Sequence, residues 1–174
     1  TWFREACKKA GLHAKIGTMV EIPAAALRSR HLGQVAEFFS IGSNDLTQYT
    51  FAADRQIGSV ARLQDAWQPA ILDLVAATVK GGQANGIPTG VCGEAASDPA
   101  LGCVLVGLGV NTLSMSAGSL PGVRAALFAA GAGLAARGWW TASSNGLTTS
   151  SSPNRWPACM SSVKSVVQPA ANAA

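Results

Sequence analysis

The sequence predicts an α/β fold built on a parallel sheet, and three observations carry that prediction. Short apolar runs near residues 16, 38, 88 and 112 have the length of strands. A stretch of helical composition follows each of them, and alternation of this kind calls for parallel strands joined by right-handed crossovers. Polar groups stand at or just beyond the ends of the runs: Glu21, Asn44 with Asp45, Cys92 with Glu94, and Ser116. In a parallel sheet those ends share one side, which is where such folds hold their ligands.

Taken in order, residues 2–10 (WFREACKKA) have helical composition, and Gly11 stops them. Residues 15–20 (KIGTMV) read as a strand with Glu21 at its end. Pro23 sits where a first helical turn tolerates proline, and AAALRSRHLGQVA carries the helix after it. Strand composition returns at residues 37–41, where Phe38, Phe39 and Ile41 are interrupted only by the small Ser40. Gly42 and Ser43 break that run, a helix-compatible segment follows Asn44 and Asp45, and Arg55 lies ten residues beyond the aspartate. Gln68-Pro69 opens the clearest helix, residues 70–83, with Ile71, Leu72, Val75 and Val79 on one stripe. Asn85-Gly86 ends it. Residues 87–92 form the next strand, Asp98-Pro99 caps a helix through Leu108, residues 111–115 are the last strand and residues 120–130 the last helix.

Four strand–helix units amount to half of an eight-fold (β/α)8 barrel, which takes about 250 residues. An open doubly wound sheet is the alternative, but its glycine-rich fingerprint is missing after the first strand. From about residue 129 the sequence has no acidic residue and no sustained periodicity. The expected division is a domain over residues 1–128 and a Ser/Ala/Gly-rich tail of low order over 129–174.

Composition excludes several functions. With 48% hydrophobic and 13% charged residues the chain suits a folded core and not a disordered one. No apolar run approaches the roughly 20 residues that span a bilayer, and no secretory pattern opens the chain. A cytoplasmic, membrane-free protein is expected. All nine acidic residues lie between Glu5 and Asp98, and the nine basic residues within 1–98 balance them. The remaining Arg124, Arg137, Arg155 and Lys164 are scattered, so no nucleic-acid track is expected. Cys7, Cys92, Cys103 and Cys159 have neither zinc-ligand spacing nor a Cys-x-x-Cys pair.

The chemistry-bearing positions each admit two readings. Glu21 and Asp45, on neighbouring strand ends, either cap the helices that follow or share a hard cation such as Mg²⁺ between them. Arg55 either forms a solvated pair with Asp54 or grips a phosphate or carboxylate through its fork of donors. Cys92 is either an inert strand residue or a thiol that gives up a proton. His13 and His31 read as surface or capping residues.

Four blocks, VEIPAAAL, FFSIGSNDLTQYTFAADR, GVCGEAASDP and LSMSAGSLP, together resemble a known family in order and spacing. It is the phosphoenolpyruvate-binding barrel of enzyme I, the phosphoenolpyruvate–protein phosphotransferase of the bacterial sugar phosphotransferase system. Pyruvate phosphate dikinase and phosphoenolpyruvate synthase share the barrel, but YTFAADR is closer to enzyme I. The resemblance spans about residues 1–128 and implies the C-terminal half of a TIM-type barrel. It implies Mg²⁺ ligands at Glu21 and Asp45, and phosphate or substrate contacts from Asn44, Asp45 and Arg55. It also implies that Cys92 is the acid that protonates the enolate carbon. The implied partners are phosphoenolpyruvate, a histidine-containing phosphocarrier protein, and a second copy of the chain through the barrel. The family's phosphohistidine domain, and the barrel half with two further arginines, find no counterpart in these residues. The chain by itself is therefore expected to lack phosphotransferase activity.

Overall fold

The computed structural model describes residues 2–135, 140–143 and 146–149, with side chains described as far as Gly131. Helix α1 (Trp2–Lys9) leads into strand β1 (Gly17–Val20), and α2 (Pro23–Leu27) and α3 (Ser29–Leu32) follow. Strand β2 (Phe38–Gly42) runs straight into α4 (Ser43–Phe51), and a 3-10 turn at Gly58–Gln64 leads to α5 (Pro69–Gln83). Then come β3 (Thr89–Cys92), the short α6 (Glu94–Ser97), α7 (Pro99–Gly107), β4 (Thr112–Ser114) and α8 (Leu120–Ala135).

The four strands pair in the order β1-β2-β3-β4, every pair parallel. Each strand therefore lies beside its predecessor in the chain. A doubly wound sheet instead reverses its order at a switch point and carries helices on both faces. Neither feature is present among the described residues. Successive side chains along a strand point to opposite faces. Val20, Phe39, Ile41 and Val91, all no more than 1% exposed, share the core with Leu46, Val75, Val79, Leu101 and Leu105 from the helices. The other face carries Met19, Ser40, Cys92, Thr112 and Ser114, half-buried or exposed. The sheet is open: β1 and β4 are both edges, and no closed barrel is formed by the described residues.

Local structure follows the sequence with identifiable exceptions. The apolar stripe of α5 is buried at Ile71, Val75 and Val79 as its period requires. Asp98 caps α7, its Oδ1 accepting from the N–H groups of Ala100 at 2.8 Å and Leu101 at 2.9 Å. The single helix expected after Pro23 is two short ones, broken at Arg28 (φ −99°, ψ 10°). The break turns Ser29 inward, where its hydroxyl donates to the Ala77 carbonyl of α5 at 3.2 Å. Helix α8 continues to Ala135, so the boundary expected at 128/129 falls inside a helix. Beyond it, β5 (Trp140–Ser143) and β6 (Gly146–Thr149) pair antiparallel within the stretch expected to be a tail of low order. The rest of that tail lies outside the described residues.

Candidate active site

The candidate site forms where β1, β2 and β3 end. Because α4 begins at Ser43, directly after Gly42, Asn44 and Asp45 stand in its first turn. The N–H groups there have no intrahelical acceptor, and the helix dipole favours negative charge. Asn44 Oδ1 accepts from the backbone N–H of Glu94 at 3.0 Å. That bond assigns the amide orientation through the hydrogen-bond network, and it leaves the two Nδ2 donors for a ligand.

The turn after β3 has to come close for this to happen, and Gly93 permits it. Its φ of 99° disfavours any L side chain, and a Cβ there would lie 2.6 Å from Ser43 Oγ and 2.8 Å from Asn44 Oδ1. Ser43 Oγ completes the tie by donating to the Cys92 carbonyl at 2.9 Å.

Asp45 holds Arg55, with Oδ1 and Nη2 2.8 Å apart. Ten residues separate them, and the chain returns because α4 ends on Ala52 in the left-handed region (φ 49°, ψ 37°). Asp54, the partner that adjacency offers, instead accepts from the Gln56 N–H at 2.8 Å. Arg55 is therefore tethered at the site without being enclosed, its side chain 47% exposed.

Glu21 does not cap α2: the cap position is Ile22, with no side-chain capping bond. Its carboxylate reaches over β2 instead. Oε1 lies only 2.7 Å from where a Cβ on Gly42 would stand. Glu21 and Asp45 are thus a pair of carboxylates on adjacent strand ends, one over Gly42 and the other three residues further along the chain. The described residues contain no cluster of three His, Cys, Asp or Glu side chains able to hold a metal. Two oxygen donors with water on their open side fit Mg²⁺, which keeps several waters and is completed by substrate phosphate. They do not fit a closed nitrogen–sulfur zinc site.

Cys92 ends β3, in register with Gly42. Its Sγ lies 3.5 Å from the Ile41 carbonyl and 3.9 Å from the Ser40 hydroxyl. A cavity of about 400 Å³ opens beside α4, lined by Asn44, Arg55, Gln64, Trp67 and Glu94 among others. Trp67 forms part of its wall, with Nε1 donating to Asp98 Oδ2 at 3.5 Å. Of the strand-end and arginine positions singled out in the sequence, the cavity brings together Asn44, Arg55 and Glu94. Glu21, Asp45 and Cys92 stand at the strand ends outside its lining. His13 precedes β1, at the opposite end of the strand from Glu21, and both His13 and His31 are exposed.

The contributions of Ser43, Gly93 and Trp67 are not visible from residue type alone. A glycine between Cys92 and Glu94 was the one available signal.

A family profile described as "PEP-utilising enzyme, PEP-binding domain" matches residues 3–131. A Streptomyces coelicolor protein named phosphoenolpyruvate-protein phosphotransferase is 65% identical over 125 residues, covering 72% of this chain and 22% of that protein. A Mycoplasma genitalium protein of the same name is 52% identical over 106 residues, 61% of this chain and 18% of its own length. A Xanthomonas campestris multiphosphoryl transfer protein is 46% identical over 112 residues, 64% of this chain and 13% of its own. The chain thus spans about a fifth of the length of the first two relatives.

Proposed function

The chain belongs to the PEP-utilising enzymes through their PEP-binding domain, and from that premise we propose that it is the C-terminal part of a phosphoenolpyruvate-protein phosphotransferase. Its four sequentially ordered strands, with helices on one face, are read as the second half of a (β/α)8 barrel. The observation that carries the functional reading is the Asp45–Arg55 pair, set in the first turn of α4 beside an Asn44 amide whose carbonyl is already satisfied. That arrangement offers a planar fork, two amide donors and unpaired helix N–H groups to one polyanion.

The residues divide the work. Arg55 and the Asn44 amide hold the phosphoryl group and fix its direction. Glu21 and Asp45 would hold Mg²⁺, whose bound charge offsets the negative charge of the moving phosphoryl group. Cys92 gives its proton to the methylene carbon of the enolate left behind, which becomes pyruvate. The phosphoryl group passes to a histidine, for which His13 and His31 are not placed, and from there to a histidine-containing carrier protein. The protein is read as cytoplasmic and as a homodimer through this domain. The names of the relatives favour this reading over a dikinase or synthase.

Thermal unfolding of the 174-residue chain tests it, because a ligand that binds only the folded form raises stability. Mg²⁺ and phosphoenolpyruvate together should raise the midpoint, and each alone should do less. No shift at millimolar concentrations of both would overturn the assignment.

A further inference from the structure

We propose that Ser40 is a positioning residue for Cys92, its hydroxyl donating to Sγ and steadying the charge left on sulfur when the thiol proton departs. The inference rests on the reading of Cys92 as the proton donor and adds a residue to that step. Ser40 and Cys92 lie on adjacent strands and on the same helix-free face, Ser40 paired with Gly90 and Cys92 with Gly42. Two glycines therefore stand opposite the two functional side chains, and no bulk separates them. Ser40 Oγ reaches Sγ at 3.9 Å, while the thiol is oriented on its other side by the Ile41 carbonyl at 3.5 Å.

The two contacts suit two states of the sulfur. A carbonyl can only accept, so it favours the protonated thiol and directs its S–H bond. A hydroxyl can donate, so it favours the thiolate. In the transfer the S–H bond breaks and its electron pair stays on sulfur, while the enolate's carbon–carbon π pair forms the new C–H bond. The ketone of pyruvate results, and water later returns a proton to the thiolate.

The charged groups around this step are otherwise unhelpful to a thiolate. Glu21 reaches over Gly42, Asp45 stands in the first turn of α4, Glu94 follows Cys92 by two residues, and Arg55 is held by Asp45. The Ser40 hydroxyl is the group on the described sheet face that donates to Sγ.

The test is the rate of Cys92 alkylation by iodoacetamide in the full 174-residue chain at fixed neutral pH. Peptide mass spectrometry follows it against Cys7, which carries a free thiol and provides an internal reference. The thiolate is the reacting species, and a less stabilised thiolate is scarcer but intrinsically more nucleophilic. Ser40→Ala should therefore slow Cys92 by about three- to tenfold relative to Cys7, and Ser40→Thr should restore most of the rate. An unchanged or faster rate in Ser40→Ala, or a Thr variant as slow as Ala, would overturn the proposal. Should the Ala variant fold poorly, Ser40→Val removes the hydroxyl with a residue suited to strands and gives the same comparison. The thermal shift with Mg²⁺ and phosphoenolpyruvate keeps the two ideas apart. If the wild-type chain is stabilised by ligand and Ser40→Ala leaves alkylation unchanged, the Ser40 role fails while the functional reading stands. If ligand never stabilises the chain but the Ser40 effect appears, the hydroxyl–thiolate contact is real, the functional reading fails, and the positioning role in proton transfer fails with it.

Discussion

Gly42→Ala should separate the folding of this domain from the Mg²⁺ binding proposed for it. Gly42 has φ −84° and ψ 90°, a conformation open to alanine, so the substitution adds little backbone strain. Loss of glycine's freedom in the unfolded chain contributes about 0.4–1 kcal/mol in favour of the variant. Against this, the new Cβ falls 2.7 Å from Glu21 Oε1 and 2.8 Å from its Cγ. To reach an ordinary 3.4 Å contact, the carboxylate must retreat by 0.7 Å (3.4 less 2.7). Glu21 is only half-buried and can swing away, so stability should change by less than about 1 kcal/mol. A metal ligand is far less tolerant, since site geometry has to hold within about 0.5 Å. At ligand concentrations about ten times the dissociation constant, the wild-type chain should gain about 1.4 kcal/mol. For a domain of this size that is about 3–6 °C in the melting midpoint. The variant should melt where the unliganded wild type does and gain almost none of that increment. A variant that keeps the full increment would show that Glu21 has no part in holding the metal. One that unfolds outright would show that the contact is structural.

Gly93→Ala should behave differently, lowering the unliganded denaturation midpoint as well, because φ 99° is strained for alanine by about 1–3 kcal/mol. It should weaken phosphoenolpyruvate binding too, since its Cβ meets Asn44 Oδ1, and calorimetric titration reads that directly. Thr89→Val should stabilise the domain by about 1 kcal/mol in urea denaturation, because Thr89 Oγ1 is buried without a hydrogen-bond partner. Arg55→Lys should keep the charge near Asp45 but lose the planar fork. The expected result is about tenfold weaker phosphoenolpyruvate binding with the Mg²⁺ response alone unchanged, and equal weakening of both would count against a phosphate role.

The strands were legible because each is a short apolar run ended by glycine or a polar group, so their observed limits fall within about two residues of expectation. The placement of the candidate site residues was legible for the same reason: Glu21, Asn44, Asp45 and Cys92 are polar groups delivered by those runs to strand ends. What the sequence hid was conformation carried by residues of ordinary type. Ala52 adopts the left-handed region, and nothing about an alanine announces it, so adjacency offers only Asp54 as an ion-pair partner for Arg55, where the structure brings Asp45. The 3-10 turn at Gly58–Gln64 has no periodicity long enough to register. Helix α8 runs through Gly131, a residue that reads as a stop but is buried here.

The two faces of the sheet explain why the site looks incomplete while the core does not. Val20, Phe39, Ile41 and Val91 fill the helix-covered face with large apolar side chains, and that burial is what folds the domain. The other face alternates small or polar residues, Gly17, Ser40, Gly42, Gly90, Thr112 and Ser114, with only Phe38 and Met19 as bulky exceptions, and the Phe38 ring lies against Gly17. Such a face contributes little to stability and leaves room above it. Glu21 leans over Gly42 and Cys92 meets Ser40 because no bulk opposes them there. The strand ends in this chain thus bring together Asn44 with the Asp45–Arg55 pair, the Glu21 carboxylate and the Cys92 thiol, the groups to which the proposed function gives the phosphate grip, the metal and the proton. His13 lies at the far end of β1 and His31 on α3, both exposed, so on the proposed function the acceptor of the phosphoryl group approaches from outside the described residues. On that proposal ligand binding and turnover are separable in this chain, and the thermal shift with Mg²⁺ and phosphoenolpyruvate reads the first without the second.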